Sequence, residues 1–152
     1  MGPLHSLWNF LRLIAAGRLH FPRQRAGEAI WLEGEKWIIF RQAVVDRSEG
    51  QPERPGAVFR ARFHVAGMSI RQNTRFSILP IPFFVGLPGF RSKLWMYNPE
   101  SSDSSGYYEW DTVEDAENYS RSFATGFMTR RSVPGSVSFK VLPQVASPRN
   151  GI

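Results

Sequence analysis

The side chains able to do chemistry are few and unevenly placed. There are no cysteines among the 152 residues, which removes thiolate nucleophiles, disulfide frameworks and cysteine-held metal or iron–sulfur sites. Of three histidines, His5 and His20 lie near the N-terminus and His64 stands alone in the middle of the chain. An imidazole accepts a proton near neutral pH, so His64 is the candidate general base. Arg62, on the same strand face, offers a fixed fork of donors for an enolate or carboxylate, and Tyr108 offers a phenolic hydrogen bond. Trp95, Tyr97, Trp110, Tyr119 and Phe123 supply aromatic walls, and Phe83 and Phe84 sit in an apolar loop suited to a lid. One base, one or two donors and a dry apolar chamber are what is needed to deprotonate an electron-rich substrate and hold its anion. The same residues also admit a structural reading. His64 and Arg62 suit an interface, with Glu109 or Asp111 as carboxylate partners across it, and the aromatics suit a packed core.

Other chemistries find no support. No two histidines stand at metal-ligating helical spacing, and the acids Glu114, Asp115 and Glu117 read as capping and solvation of a helix start, so no metal site is expected. There is no glycine-rich phosphate loop and no Gly-x-Ser-x-Gly elbow, so neither flavin nor nicotinamide is indicated and no cofactor is expected. Haem would need an axial ligand, and His64 is the only candidate outside the N-terminal segment. The net charge of +6 rests almost wholly on arginine, the only lysines being Lys36, Lys93 and Lys140. These arginines are dispersed among acids and accompany no binding motif, so nucleic acid is not an expected partner.

The elements that must position these side chains follow from periodicity. Leu4, Leu7, Trp8, Leu11 and Ile14 recur at helical spacing, widened by Phe10 and Leu13 and flanked by Arg12 and Arg18. This amphipathic helix suits either docking on the domain or a second subunit, or a peripheral membrane contact through residues 1–21. "AIWL" and "KWIIFRQAVV" around Gly34 read as a hairpin, and "DRSEGQPERPG" (46–56) as an exposed linker. From residue 57 the order is strand (57–66), helix capped by Ser69, strand (90–98), strand (107–111), helix capped by Asp111 or Thr112 and running past Phe123 to Phe127, and strand (136–142). The expected division is thus 1–56 as helix, hairpin and linker, 57–142 as a βαββαβ ferredoxin-like α+β sandwich, and 143–152 as a flexible tail. No apolar run reaches the roughly 20 residues needed to span a bilayer, and no secretory signal is evident, so the expected location is cytoplasmic or membrane-peripheral. Two helices cover only one face of a four-stranded sheet. Leu94 and Met96 oppose Trp95 and Tyr97, and Tyr107 opposes Tyr108, so both faces are apolar and a homodimer packing sheet on sheet is expected.

The run "PGFRSKLW" followed by "GYYEWDTVEDAENY" resembles the dimeric α/β-barrel superfamily, and within it the YdhR-like monooxygenase branch. The resemblance is carried by Pro88, Gly89, Phe90, Trp95, Gly106, Tyr107, Thr112, Glu114, Ala116 and Tyr119, and covers about residues 57–142. It implies a pocket between sheet and helices in each subunit of a dimer. The superfamily's members include cofactor-independent oxygenases of activated aromatics, haem-degrading enzymes, polyketide cyclases, dismutases and plain ligand-binding modules, so the fold does not choose among them. The expected function is a cofactor-independent monooxygenase, or related cyclase or isomerase, on a small hydrophobic, aromatic or polyketide-like substrate. The alternative is a non-catalytic ligand-binding or membrane- or partner-interaction module.

Overall fold

A computed structural model describes residues 2–144; of the expected tail only Pro143 and Gln144 fall within them. The elements are α1 (Pro3–Ala15), β1 (Leu19–His20), β2 (Ala29–Leu32), β3 (Glu35–Val45), β4 (Ala57–Phe63), α2 (Ile70–Phe76), α3 (Ile81–Val85), β5 (Phe90–Tyr97), β6 (Ser104–Trp110), α4 (Val113–Ser120), α5 (Phe123–Arg130) and β7 (Ser138–Pro143). All pairings are antiparallel, in the order β1-β3-β5-β6-β4-β7 with β2 paired to β3. The run β5-β6-β4-β7 is the ferredoxin-like α+β arrangement expected from the sequence. The hairpin strand β3 extends the same sheet at its β5 edge.

The helices depart from expectation where local capping competes with periodicity. Ser69 closes a capping box: its hydroxyl accepts from the Gln72 amide at 3.2 Å, and the Gln72 side chain accepts from the Ser69 amide at 3.0 Å. The segment after it, expected as an apolar loop, is the one-and-a-half-turn helix α3; Pro82 falls in its first turn, where a missing N–H costs nothing. The single helix expected from 113 to 127 is broken at Arg121–Ser122. Ser122 adopts an extended backbone and caps α5 by accepting from the Thr125 amide, as Thr112 caps α4 by accepting from that of Asp115.

The helix-side core joins Ala43, Phe59, Phe84, Trp95, Tyr108, Trp110 and Tyr119. The other face is not bare. Trp37, Ile39 and Met96 are buried there, with Ile30, Leu32, Leu94 and Tyr107 packed against them. Glu33, at the turn between β2 and β3, accepts a hydrogen bond from Lys140 on the far edge strand β7 at 2.7 Å and one from Arg60 on β4 at 3.2 Å. The hairpin therefore curls across the face that the sequence left open. Its own chain buries the large apolar residues there, which removes the packing argument for a second copy on that face.

Segment 46–56, expected as an exposed linker, is tied down along its length: Asp46 is bonded to Arg18 and His20, and the Gly56 amide donates to the Trp110 carbonyl at 2.9 Å. Arg91 donates to the carbonyls of Pro52 and Glu53 and to Asp111, and Gln51 donates to Asp111 at 2.9 Å. Helix α1 docks through Phe10 and Leu13, which pack against the core, and through Asn9, whose amide donates to the Gly86 carbonyl at 3.1 Å. The stripe of Leu4, Trp8, Leu11 and Ile14 points away and stays in solvent, Leu4 at 82% exposure. No helix among the described residues is long and apolar enough to cross a membrane.

Candidate functional site

Alternation along three adjacent strands builds the site. Phe59, Ala61 and Phe63 of β4, Lys93 and Trp95 of β5, and Gly106, Tyr108 and Trp110 of β6 share the helix-facing side. In register, Tyr108 lies directly between Lys93 on one neighbour and Phe59 on the other. Gly106 makes that juxtaposition possible. A Cβ there would stand 2.5 Å from Tyr108 Cε1 and 3.2 Å from Lys93 Cε, so any side chain would displace both.

Helices α2, α3, α4 and α5 roof this patch and leave a cavity of about 60 Å³, whose wall includes Phe84, Lys93, Trp95, Tyr108, Tyr119 and Phe127. A second apolar hollow of about 240 Å³, walled by Leu79, Phe83 and Phe123, shares Pro80, Ala124 and Phe127 with it. The two hollows thus lie side by side.

Lys93 is the unusual group. Its Nζ donates to the Tyr108 hydroxyl at 2.6 Å, and the Tyr119 hydroxyl donates to the same oxygen at 2.8 Å. The faces of Phe84, Trp95 and Tyr108 surround the amine at 4.6, 4.4 and 4.3 Å from their centroids. Each ring face favours a cation, but no carboxylate lines the cavity. Burial therefore dominates and pushes the Lys93 ammonium well below its ordinary 10.5, with the nearby charge of Arg41 acting in the same direction. Arg41 is fixed by donating to Ser77 Oγ at 2.6 Å and to the Thr74 carbonyl at 2.9 Å. Burial raises both phenols, Tyr119 to about 12 and Tyr108 well above 10, the latter also through its neighbour Tyr119. The site is thus an amine and two phenols in one hydrogen-bonded row, with burial favouring the uncharged form of each.

The structure distributes the residues expected from sequence over several places. Tyr108, Trp95, Tyr119 and Phe84 line the cavity, while Phe83 and Phe123 meet edge to face at 5.5 Å in the adjoining hollow. Trp110 lies behind the cavity wall, stacked on Tyr119 at 5.1 Å, and Tyr97 sits near Phe40 at 6.3 Å, outside the lining. His64 and Arg62 belong to the opposite face. His64 Nδ1 pairs with Asp103 at 3.0 Å, and Arg62 pairs with Asp103 at 2.8 Å and with Glu35. The carboxylates expected for Arg62, Glu109 and Asp111, pair elsewhere: Glu109 accepts from Ser92 at 2.6 Å and Asp111 from Arg91 at 3.1 Å. Among the described residues no group of three metal-ligating side chains converges. Lys93 was missed. The signal was present, because strand parity in "FRSKLWMY" puts Lys93 on the side of Trp95, where a lysine is out of place.

No family model matches this sequence, and no curated protein matches it. Solved structures do share its fold. An anthrone oxidase-like protein superposes with a TM-score of 0.51 at 18% identity, over 74% of this chain and 55% of that one. This chain therefore spans about half the length of that protein. A heme-degrading enzyme from Listeria monocytogenes gives 0.55 at 12% identity, over 88% and 92% of the two chains. An uncharacterised ferredoxin-fold protein related to antibiotic biosynthesis monooxygenases, also from Listeria monocytogenes, gives 0.51 at 13%, over 90% and 89%. These likenesses establish a ferredoxin-like fold.

Proposed function

We propose that this protein is a cofactor-independent oxygenase of small, activated aromatic substrates, with Lys93 as its base and Tyr108 and Tyr119 as its proton relay. The observation that carries the reading is a buried amine with no carboxylate partner, hydrogen-bonded to a phenol on the wall of an apolar cavity. Lys93 removes a proton from a CH₂ group activated by an adjacent aromatic ketone, leaving an enolate whose charge spreads into the rings. The ammonium that forms is stabilised by the three ring faces around it and pairs with the enolate. The enolate gives one electron to dioxygen, and the resulting radical and superoxide combine at carbon to a peroxide that takes a proton from the Lys93–Tyr108 row. Loss of the second C–H proton breaks the O–O bond and releases water. In sum, CH₂ and O₂ become C=O and H₂O.

The cavity wall carries no histidine, so the residues present do not fit an imidazole-ligated haem at this place. Oxygen uptake with anthrone tests the reading. Lys93→Met is expected to slow it by at least about 100-fold, the usual contribution of a general base, and Tyr108→Phe by a smaller factor. Uptake unchanged in Lys93→Met, or absent in the wild type across hydroxyaryl ketones and hydroquinones, would refute it.

A second reading has its own observation in the solvent-facing stripe of α1. Leu4, Trp8, Leu11 and Ile14 beside Arg12 and Arg18 suit the interface of an anionic membrane. Co-sedimentation with phosphatidylserine vesicles, lost in Trp8→Glu/Leu11→Glu, supports it; equal recovery with and without vesicles contradicts it.

A further inference from the structure

We infer that Lys93 is also a covalent site, forming an imine with small uncharged aldehydes or ketones that enter the cavity. The inference rests on the cavity and its amine and goes beyond the oxygenase reading, which needs only proton transfer. A lysine becomes a carbonyl nucleophile when its amine is kept unprotonated, and the two usual means are an apolar enclosure and a neighbouring cation. Both are present. Lys93 is buried with three aromatic rings about its Nζ, and Arg41, from the adjacent strand β3, holds its guanidinium 5.3 Å from the centroid of Trp95. No carboxylate lines the cavity to draw the proton back.

Imine formation also needs an acid beside the amine, and the Tyr119–Tyr108 row ends on Nζ at 2.6 Å. The lone pair of Nζ attacks the carbonyl carbon, and the C=O π pair moves to oxygen. Tyr108 supplies a proton to that oxygen and is replenished from Tyr119. Nitrogen loses its two protons to the row, which restores Tyr119 with one and passes the other to the carbinol hydroxyl; the C–O bond then breaks as C=N forms and one water leaves for each imine. No oxidant or reductant takes part. The wall is mostly apolar, with Asn73, Ser77 and Arg131 as its polar members beside the amine and phenols, so a short aliphatic or aromatic aldehyde suits it.

The chain itself supplies the control. Its other two lysines, Lys36 and Lys140, are exposed to the same solution, Lys140 paired with Glu33 at 2.7 Å. The folded protein is incubated at pH 7 with propanal or benzaldehyde and cyanoborohydride, and the label is located by peptide mass spectrometry. Each unit by which an amine falls below 10.5 raises its unprotonated fraction at pH 7 about tenfold. Label on Lys93 should therefore exceed that on Lys36 by at least about tenfold. Tyr108→Phe should keep the amine but slow its labelling while Lys36 is unaffected. Label on Lys36 and Lys140 with none on Lys93, or equal label on all three, would overturn the inference. The outcome is independent of oxygen uptake, because labelling is read in the absence of any oxidisable substrate.

Discussion

Replacing Lys93 by Met keeps a similar shape and removes the charge, so it isolates what the buried amine does to stability. In the unfolded chain this lysine titrates near 10.5, and in the folded chain it titrates well below that. Between those two values the unfolded state holds one more proton than the folded state. Unfolding free energy then rises with pH, by about 1.4 kcal/mol per unit. The lysine thus costs most at low pH, and that cost fades as pH climbs toward 10.5. The clean window is pH 7.5 to 9.5, above ordinary histidine titration and below the phenols. Tyr119 is raised to about 12 and so contributes a loss of stability only above about pH 10. Urea unfolding at intervals across the window gives the assay. Lys93→Met should be the more stable protein at pH 7.5, and the difference should close by up to about 1.4 kcal/mol for each pH unit. Parallel curves for the two proteins would refute the reasoning. They would mean that the ring faces hold Lys93 as an ammonium in the folded state.

Tyr108→Phe removes the oxygen shared by Lys93 and Tyr119, leaving two buried polar groups without that partner, and should lower unfolding free energy by about 1–3 kcal/mol. Gly106→Ala forces a methyl against Tyr108 Cε1 and should cost about 1–3 kcal/mol in urea unfolding; a neutral result would show that the strands can spread at this point. Trp37→Ala should cost about 3–5 kcal/mol and increase dye binding to exposed apolar surface, because Trp37 is 2% exposed in the cluster under the β2–β3 hairpin. Arg41→Leu removes the neighbouring cation and should move the pH onset of Lys93 labelling upward, which a labelling profile from pH 6 to 10 would read.

The sheet was legible because strand alternation is a short-range signal. β4 and β5 fall within the expected 57–66 and 90–98, β6 starts at Ser104, three residues before the expected 107–111, and their parity brings Trp95 and Tyr108 to one side. The helices were less legible. Ser122 reads as one more polar residue in a helical pattern, and only its side-chain hydrogen bond to the Thr125 amide reveals a new start. The choice of base was misled by residue type. His64 attracts notice because imidazole as a residue type suits a base, yet its strand position places it with Arg62 and Asp103, away from the cavity. Lys93 has an unsuitable ordinary value and becomes a candidate only through burial, which depends on helices distant in sequence. The curl of the hairpin, fixed by Glu33 and Lys140 more than 100 residues apart, lay beyond any local pattern.

Both the oxygenase reading and the imine site require Lys93 to be an unprotonated amine at neutral pH. Nitrogen NMR of the protein labelled with ¹⁵N-lysine reports this directly, since only three side chains contribute. One Nζ resonance should titrate well below 10.5 and vanish in Lys93→Met, while those of Lys36 and Lys140 remain. Three resonances that all keep ammonium shifts up to about pH 10, the range of ordinary lysines, would contradict the account.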